Sequence, residues 1–352
     1  MSPFTRYFLR RLVILPVTLL IITLVMYGAV MLTPPEARVT LYLPKGNARI
    51  RESTIQAYIK SNLLDQPFHI QYGHWVGTLL KGSWGYSPSV GEDVLPALTR
   101  RTPVTLELLF YSALLFIPLG VLMGFFAAWN QGRWFDWLAN AFSFVGTSLP
   151  IFIVSMFALA IFYVKLGWFA PERVSPQFGS LLTSAEYTAY TGFITVDAVL
   201  NGRMDLLADA IKHLVMPVVT LSIFHVANLG RLTRSFVLDE KNKVYILAAR
   251  ARGVRERALM WIHVMRATLG RSLTAIGLSV SGIIMGTFIT ETIYTYNGIS
   301  AVIVKAMRAG ADAPATLGFM IYSVLLVLAF MFIVDLLIAL ADPRIRDEVI
   351  GS

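Results

Sequence analysis

Three carboxylates, Glu107, Glu291 and Asp335, fall inside or at the ends of long uncharged runs. An acid in an apolar, membrane-length run is costly. It serves either as a proton relay or substrate contact, or as a side chain that satisfies backbone groups or pairs with a base where helices meet. All three sit near run ends, where interfacial water reaches. That favours the structural role, because a proton-coupled carrier wants acids nearer mid-membrane. The five histidines, His69, His74, His213, His225 and His263, show no zinc-ligand spacing, and the chain has no cysteine. Disulfides, thiolate metal sites and cysteine nucleophiles are therefore excluded. No G-x-x-x-x-G-K-[ST], H-E-x-x-H, G-x-S-x-G or dinucleotide fingerprint occurs. The residue types do not argue for catalysis, and the chain carries no P-loop of its own.

The stretch around which the rest is organised is basic. It runs from Tyr245 to Arg266, YILAARARGVRERALMWIHVMR, between two long apolar segments. Val244, Leu247, Ala248 and Ala251 recur at three- and four-residue steps, as do Ala258, Trp261, Ile262 and Met265, each set marking one face of a helix. Arg250, Arg252, Arg255 and Arg257 project elsewhere. Gly253 interrupts the run as a helix C-cap does, predicting helix, glycine turn, helix. Such an element can lie on anionic lipid, be an ordinary solvated loop, or receive a push from a soluble motor.

Composition places these elements in a membrane. Of 352 residues 56% are hydrophobic and 14% charged, against about a quarter charged in soluble domains. The formal charge of +9 suits a basic face on anionic lipid. Nucleic-acid binding fits less well, because the basic residues flank apolar runs.

The predicted fold is an all-α integral membrane protein, one transmembrane domain over residues 1–352, with six transmembrane helices. The first is the uncharged run Leu12 to Pro35, too long for a signal-peptide core and without a convincing cleavage site. Residues 33–101 form an extracytoplasmic insertion. In it Asp65-Gln66-Pro67 opens a helix, with Ile70, Trp75, Leu79 and Leu80 as an apolar stripe. The second span is Thr102 to Gly132, with Gly120 and Gly124 placed for close helix approach. The third is Trp137 to Val164, kinked at Pro150. A second extracytoplasmic segment, 165–212, precedes the short fourth span, His213 to Gly230. The cytoplasmic loop 231–271 follows. The fifth span, Ser272 to Thr290, holds a second G-x-x-x-G, Gly282 and Gly286, with Gly277, Ser279 and Ser281 keeping it narrow. The sixth is Ala313 to Ala341. Arg6, Arg10, Arg11, Arg133, the Arg231 to Arg271 cluster, Arg344 and Arg346 put both termini in the cytoplasm. Arg100 and Arg101 fall outside against the rule, in a segment long enough to translocate regardless of charge.

With these residues in place, the chain resembles the membrane permease subunit of an ATP-binding-cassette importer of the oligopeptide/dipeptide class, over nearly its whole length. Ala248, Ala249 and Gly253 match the alanines and glycine of that family's signature, ARARG resembles its peptide-class A-R-A-K-G, and His263 and Arg266 fit the H-x-x-R that follows. LDQP at Leu64 to Pro67, QY at Gln71 to Tyr72, GSWGYS, TPVTLEL at Thr102 to Leu108, ETIYTYNGI at Glu291 to Ile299 and DPRIR at Asp342 to Arg346 resemble further blocks in order. The chain departs from the pattern at Leu247 (usually glutamate), Ser83-Trp84 (Asp-Leu), Asn297 (proline), TPPEAR (P-G-D-P) and Gly270-Arg271 (a region that usually carries proline).

The resemblance implies a bacterial or archaeal cell-membrane importer. This chain pairs with a second, homologous permease, two P-loop ATPase subunits and an extracytoplasmic substrate-binding protein. ATP and Mg are bound by the ATPases, and no cofactor by this chain. Ala248, Ala249, Arg250, Ala251, Gly253, His263 and Arg266 are the implied ATPase-coupling residues. Gly277, Ser281, Gly282, Gly286 and Glu291 are expected along the translocation path or against the partner permease. The cargo is a dipeptide or oligopeptide, with oligosaccharide or metal chelate as related cases. The competing class is an ion-gradient carrier, which wants mid-membrane charge pairs and an internal repeat. Neither occurs.

Overall fold

The computed structural model describes residues 3–42, 52–309 and 312–341. Among them, helices dominate and the strands are one two-residue hairpin. Helix α1 is Pro3–Val30, α2 Glu52–Ser61, α3 Phe68–Leu80 and α4 Val94–Trp129; Tyr86–Ser87 (β1) and Glu92–Asp93 (β2) pair antiparallel before α4. Next come α5 Trp134–Ser148 and α6, the run Ile151–Lys165 that ends in a π-helical turn. Helix α7 is Ile194–Leu200, α8 Met204–Lys241, α9 Val244–Ala251, α10 the continuous run Glu256–Ile293, α11 Ser300–Ala309 and α12 Ala313–Ala341. Among the described residues five helices are long and apolar enough to cross a membrane, six if α5 and α6 count as one broken span.

Three expected boundaries differ. Pro150 does more than kink the third run: α5 and α6 are bent by 102°. Leu149 is extended (φ −89°, ψ 124°), as the residue before proline prefers, and Pro150 has no N–H to continue the helix. Helix α8, which holds the fourth span, is 38 residues long, well beyond the expected His213 to Gly230. Its charged ends, Asp205 to Lys212 and Arg231 to Lys241, stay helical because helix propensity does not stop where the apolar run stops. The second short helix expected after Gly253 is the first turns of α10 itself.

The chain divides into two compact units. Residues 1–103 with 297–329 form one; 104–296 with 330–352 form the other. In the first, Tyr27, Leu41, Trp75, Leu317 and Ile321 make the core, with Tyr27 and Trp75 rings 4.8 Å apart. The stripe expected on α3 is displaced: Ile70 and Leu80 are exposed, while Gln71 is buried beside Trp75. Gln71 is the knot of this unit. Its Nε2 donates to the carbonyls of Leu64 (3.0 Å) and Gln66 (2.5 Å), and its Oε1 accepts from Arg38 (2.6 Å). The QY block thus ties down the LDQP turn. Asp312 caps α12 by accepting from Ala315 N (3.1 Å) and also takes the hydroxyls of Ser87 and Ser89, each at 2.6 Å. An aromatic-walled cavity of about 780 Å³ lies in this unit, between Tyr42, Tyr58, Trp75 and Trp84.

The second unit is built on α8. A Cβ on Gly124 would stand 2.3 Å from the carbonyl oxygen of Gly230, and one on Gly120 3.0 Å from Leu229 Cβ. The G-x-x-x-G of α4 is therefore where α4 and α8 touch backbone to backbone. Asp136, at the start of α5, receives Arg234 of α8 bidentately (2.6 and 2.9 Å) and Gly132 N (2.9 Å).

Candidate functional site

The basic stretch folds into a corner between α8 and α10. Glu240, in the last turn of α8, is 2% exposed. It accepts from the Tyr245 hydroxyl (2.6 Å), and the Lys243 ammonium lies 2.7 Å from its other oxygen. Burial, and then the bond to Glu240, push the Tyr245 phenol up to about 12, so it stays a donor. These contacts fix the angle at which α9 leaves α8. Beyond α9, Gly253 has φ +79° and its N–H donates to Arg250 O (3.0 Å); Val254 N–H reaches back to Ala249 O. That is a left-handed helix cap, a conformation glycine adopts without steric cost. Arg250 then forks onto Glu256 (3.0 and 2.9 Å) across the turn.

The orientation of α9 reverses the simplest reading of its periodicity. The apolar stripe Val244, Leu247, Ala248, Ala251 is the exposed one, with Val244 81% exposed; the buried residue is Ile246. Ile246, Leu259, Met260 and Val264 are all buried, and α9 packs on the π-helical turn Leu259–Val264. That turn also explains why the second stripe failed. A π-helical turn carries an extra residue, so the 3.6 period slips. Trp261 and Ile262 become exposed, and only Met265 of that stripe is buried. Trp261 still lies against the end of α4, 4.9 Å from Phe125 and 6.2 Å from Trp129 between ring centres.

Ala248, Arg250, Ala251, Gly253, His263 and Arg266 are exposed and Ala249 is half-buried. The structure therefore gathers most of the signature on an accessible surface braced from beneath. Sequence reasoning missed the braces: Glu240, Tyr245, Ile246 and Glu256. The acids flanking the basic residues, at three and six residues from Lys243 and Arg250, were the available signal.

The fifth-span residues separate. On α10, Gly277 is buried, Ser281 is half-buried and donates to Gly277 O (3.0 Å), and Gly282 is exposed. A Cβ on Gly286 would come 3.0 Å from Leu221 of α8 and 3.2 Å from Ile151 of α6, so this glycine is already used inside the chain. Leu278, Met285 and Ile289 leave one apolar face of α10 unpartnered around Gly282. Glu291, 1% exposed, accepts from Thr105 Oγ1 at 2.5 Å. Glu107, equally buried, takes Arg173 Nη2 (2.5 Å) and both the N–H (2.9 Å) and hydroxyl (2.7 Å) of Thr195. The Asp335 side chain and the DPRIR block lie outside the described residues. Among the described residues no group of acids, histidines or cysteines could hold a metal.

The family model for the binding-protein-dependent transport system inner membrane component matches residues 120–347. The chain is similar to a di/tripeptide transport system permease, DppB, of Pseudomonas aeruginosa, 31% identical over 339 residues (96% of this chain, 98% of the relative). It is also similar to a dipeptide permease of Alkalihalophilus pseudofirmus (29% over 341 residues; 97% and 99%). A probable D,D-dipeptide permease of Escherichia coli is 32% identical over 283 residues, 80% of this chain and 81% of the relative. A chain of the MetNI methionine ABC transporter superposes with a TM-score of 0.47 at 13% identity, over 71% of this chain and 96% of that one. The chain belongs to the family of inner membrane components of binding-protein-dependent transport systems: it is a permease subunit of an ATP-driven importer.

Proposed function

We propose that this permease carries peptides, and that α9 is its coupling helix. The cargo reading rests on the peptide-transport names of the relatives, and the coupling reading on one observation: a short helix held rigidly from beneath by Ile246 and Glu240 while its small and apolar residues, Val244, Leu247, Ala248 and Ala251, face out. Such a face, unlike an arginine-rich one, gains most from being covered by a protein surface. In this reading two P-loop ATPase subunits bind ATP and Mg and dock on α9 and on its counterpart in a second, homologous permease. A substrate-binding protein docks on the opposite side of the membrane, where residues 33–101 lie. Closure of the ATPases pushes α9. The push passes to α8 through the Glu240 corner and to α10 through the core under Ile246. The spans then rock between inward- and outward-facing states, with α5 and α6 as one broken span and the exposed face of α10 lining the path. Both termini are cytoplasmic in a bacterial or archaeal cell membrane.

The chain has no cysteine, so single thiols report cleanly. In the assembled importer a cysteine at Ala251 cross-links to an ATPase subunit, with a yield that changes on adding nucleotide. If no position from Tyr245 to Arg257 cross-links while lipid-borne photoprobes label α9, the helix is a lipid-surface element instead.

A further inference from the structure

The exposed face of α10 has a polar group behind it. His225 of α8 is 6% exposed, and its Nδ1 has no hydrogen-bond partner. Its ring lies 5.2 Å from Phe116 and 5.2 Å from Phe224, centre to centre, so its walls are apolar. Its Cε1 lies 3.7 Å from where a Cβ on Gly282 would stand, with no atom outside the glycine's own stretch of helix nearer than 4 Å besides it. Cε1 is the carbon between the two ring nitrogens. The edge that carries both therefore faces Gly282, the exposed glycine amid Leu278 and Met285. A buried imidazole nitrogen left without a partner is costly, so its retention asks for one.

We infer that His225, reached through the gap that Gly282 leaves in the face of α10, is a contact point for the cargo during translocation. A neutral imidazole offers one donor and one acceptor. A peptide group offers the complementary C=O and N–H, so backbone rather than side chain is what this edge fits. The contact is sequence-independent, as transport of varied peptides requires. The inference rests on the reading that the exposed face of α10 lines the path.

The test uses the complete importer, with its ATPases and binding protein, in proteoliposomes carrying out uptake of an alanyl dipeptide. Three thiol variants come first. Met285→Cys, 76% exposed at the native methionine, reports whether the α10 face is wetted. His225→Cys is modified by a small water-soluble methanethiosulfonate more slowly than Met285→Cys, and adding Gly282→Val protects it. If Met285→Cys reacts and His225→Cys never does, in any nucleotide state, the inference is overturned while the path reading stands. If Met285→Cys is also inert, the path reading fails and takes the inference with it. Uptake gives an arm that does not depend on tolerance of cysteine. Gly282→Ala places its methyl at ordinary van der Waals distance from the imidazole, so it assembles normally, yet it covers the edge. Uptake falls roughly fivefold in Gly282→Ala and in His225→Leu, the loss expected for one hydrogen bond. In the double variant the loss is no larger than in either single. Losses that multiply, or wild-type uptake in both singles, overturn the proposal.

Discussion

The two ends of the α8–α10 pair hold themselves together by opposite means. At the end carrying Glu107 and Glu291, the buried carboxylates are held by partners from within the chain. Arg173 reaches Glu107, also donates to Gly192 O (3.2 Å) and lies over the Tyr296 ring; Thr195 adds two hydrogen bonds, and the Thr195 hydroxyl accepts from Tyr111 (2.9 Å). Asp197 ties the loop before α7 by taking Thr191 and Gly192 N–H groups. At the end carrying Glu240, one buried acid and one buried isoleucine anchor an otherwise exposed helix, and the ion pairs Arg250 with Glu256 and Arg271 with Asp239 are half in water. The first arrangement draws the partners of its carboxylates from the same chain. The second leaves apolar area without cover. Under the proposed coupling, a subunit pushed at one end that must not come apart at the other needs this asymmetry.

Three substitutions test that contrast. The largest effect is expected at the end carrying Glu107. Arg173→Met leaves Glu107, 1% exposed, without its cation, and breaking such a pair costs about 3–5 kcal/mol. The thermal unfolding midpoint of the purified subunit drops, and assembled complex is lost. Because removing both charges is far milder than removing one, Glu107→Gln with Arg173→Met recovers a large part of the loss. A midpoint unchanged in Arg173→Met would show that the network is not what holds this end.

At the exposed corner the expected readout is coupling, with a smaller change in stability. Gly253→Val forces a β-branched residue to φ +79°, a strain on the order of 1–3 kcal/mol. The protein inserts and assembles, but substrate-stimulated ATP hydrolysis is abolished. Transport at the wild-type rate would mean the turn does not transmit force.

The smallest effect belongs to Arg250→Ala. Its partner Glu256 is nearly half exposed, and such pairs contribute about 0–1 kcal/mol. Stability and stimulated hydrolysis stay within a few-fold of wild type. A loss as deep as that of Gly253→Val would shift the weight at this corner from packing to charge.

Much of this was legible beforehand. Uncharged runs became helices, Gly120 and Gly124 marked a backbone contact, and Gly253 marked a left-handed turn, because each depends on properties of adjacent residues. The errors are equally local. A period of 3.6 assigned Ile70 to the core of α3 and Trp261 to that of α10. In fact Gln71 outcompetes Ile70 by satisfying buried carbonyls of the turn before it, and Trp261 stands inside the π-helical turn Leu259–Val264, where the 3.6 period does not hold.

By itself the sequence determined the class of protein, the membrane-length helices and the place of the accessible corner, since apolar length, glycine and the order of motif blocks are written along the chain. Only the tertiary structure decided which side of α9 is free, that Glu107 belongs to Arg173 at 66 residues' remove, and that His225 stands behind Gly282. The reason is that a side chain's partner across a helix interface is selected by where the helices cross. Crossing is set by a few close approaches, such as Gly124 on Gly230, whose consequences are felt far from them in sequence.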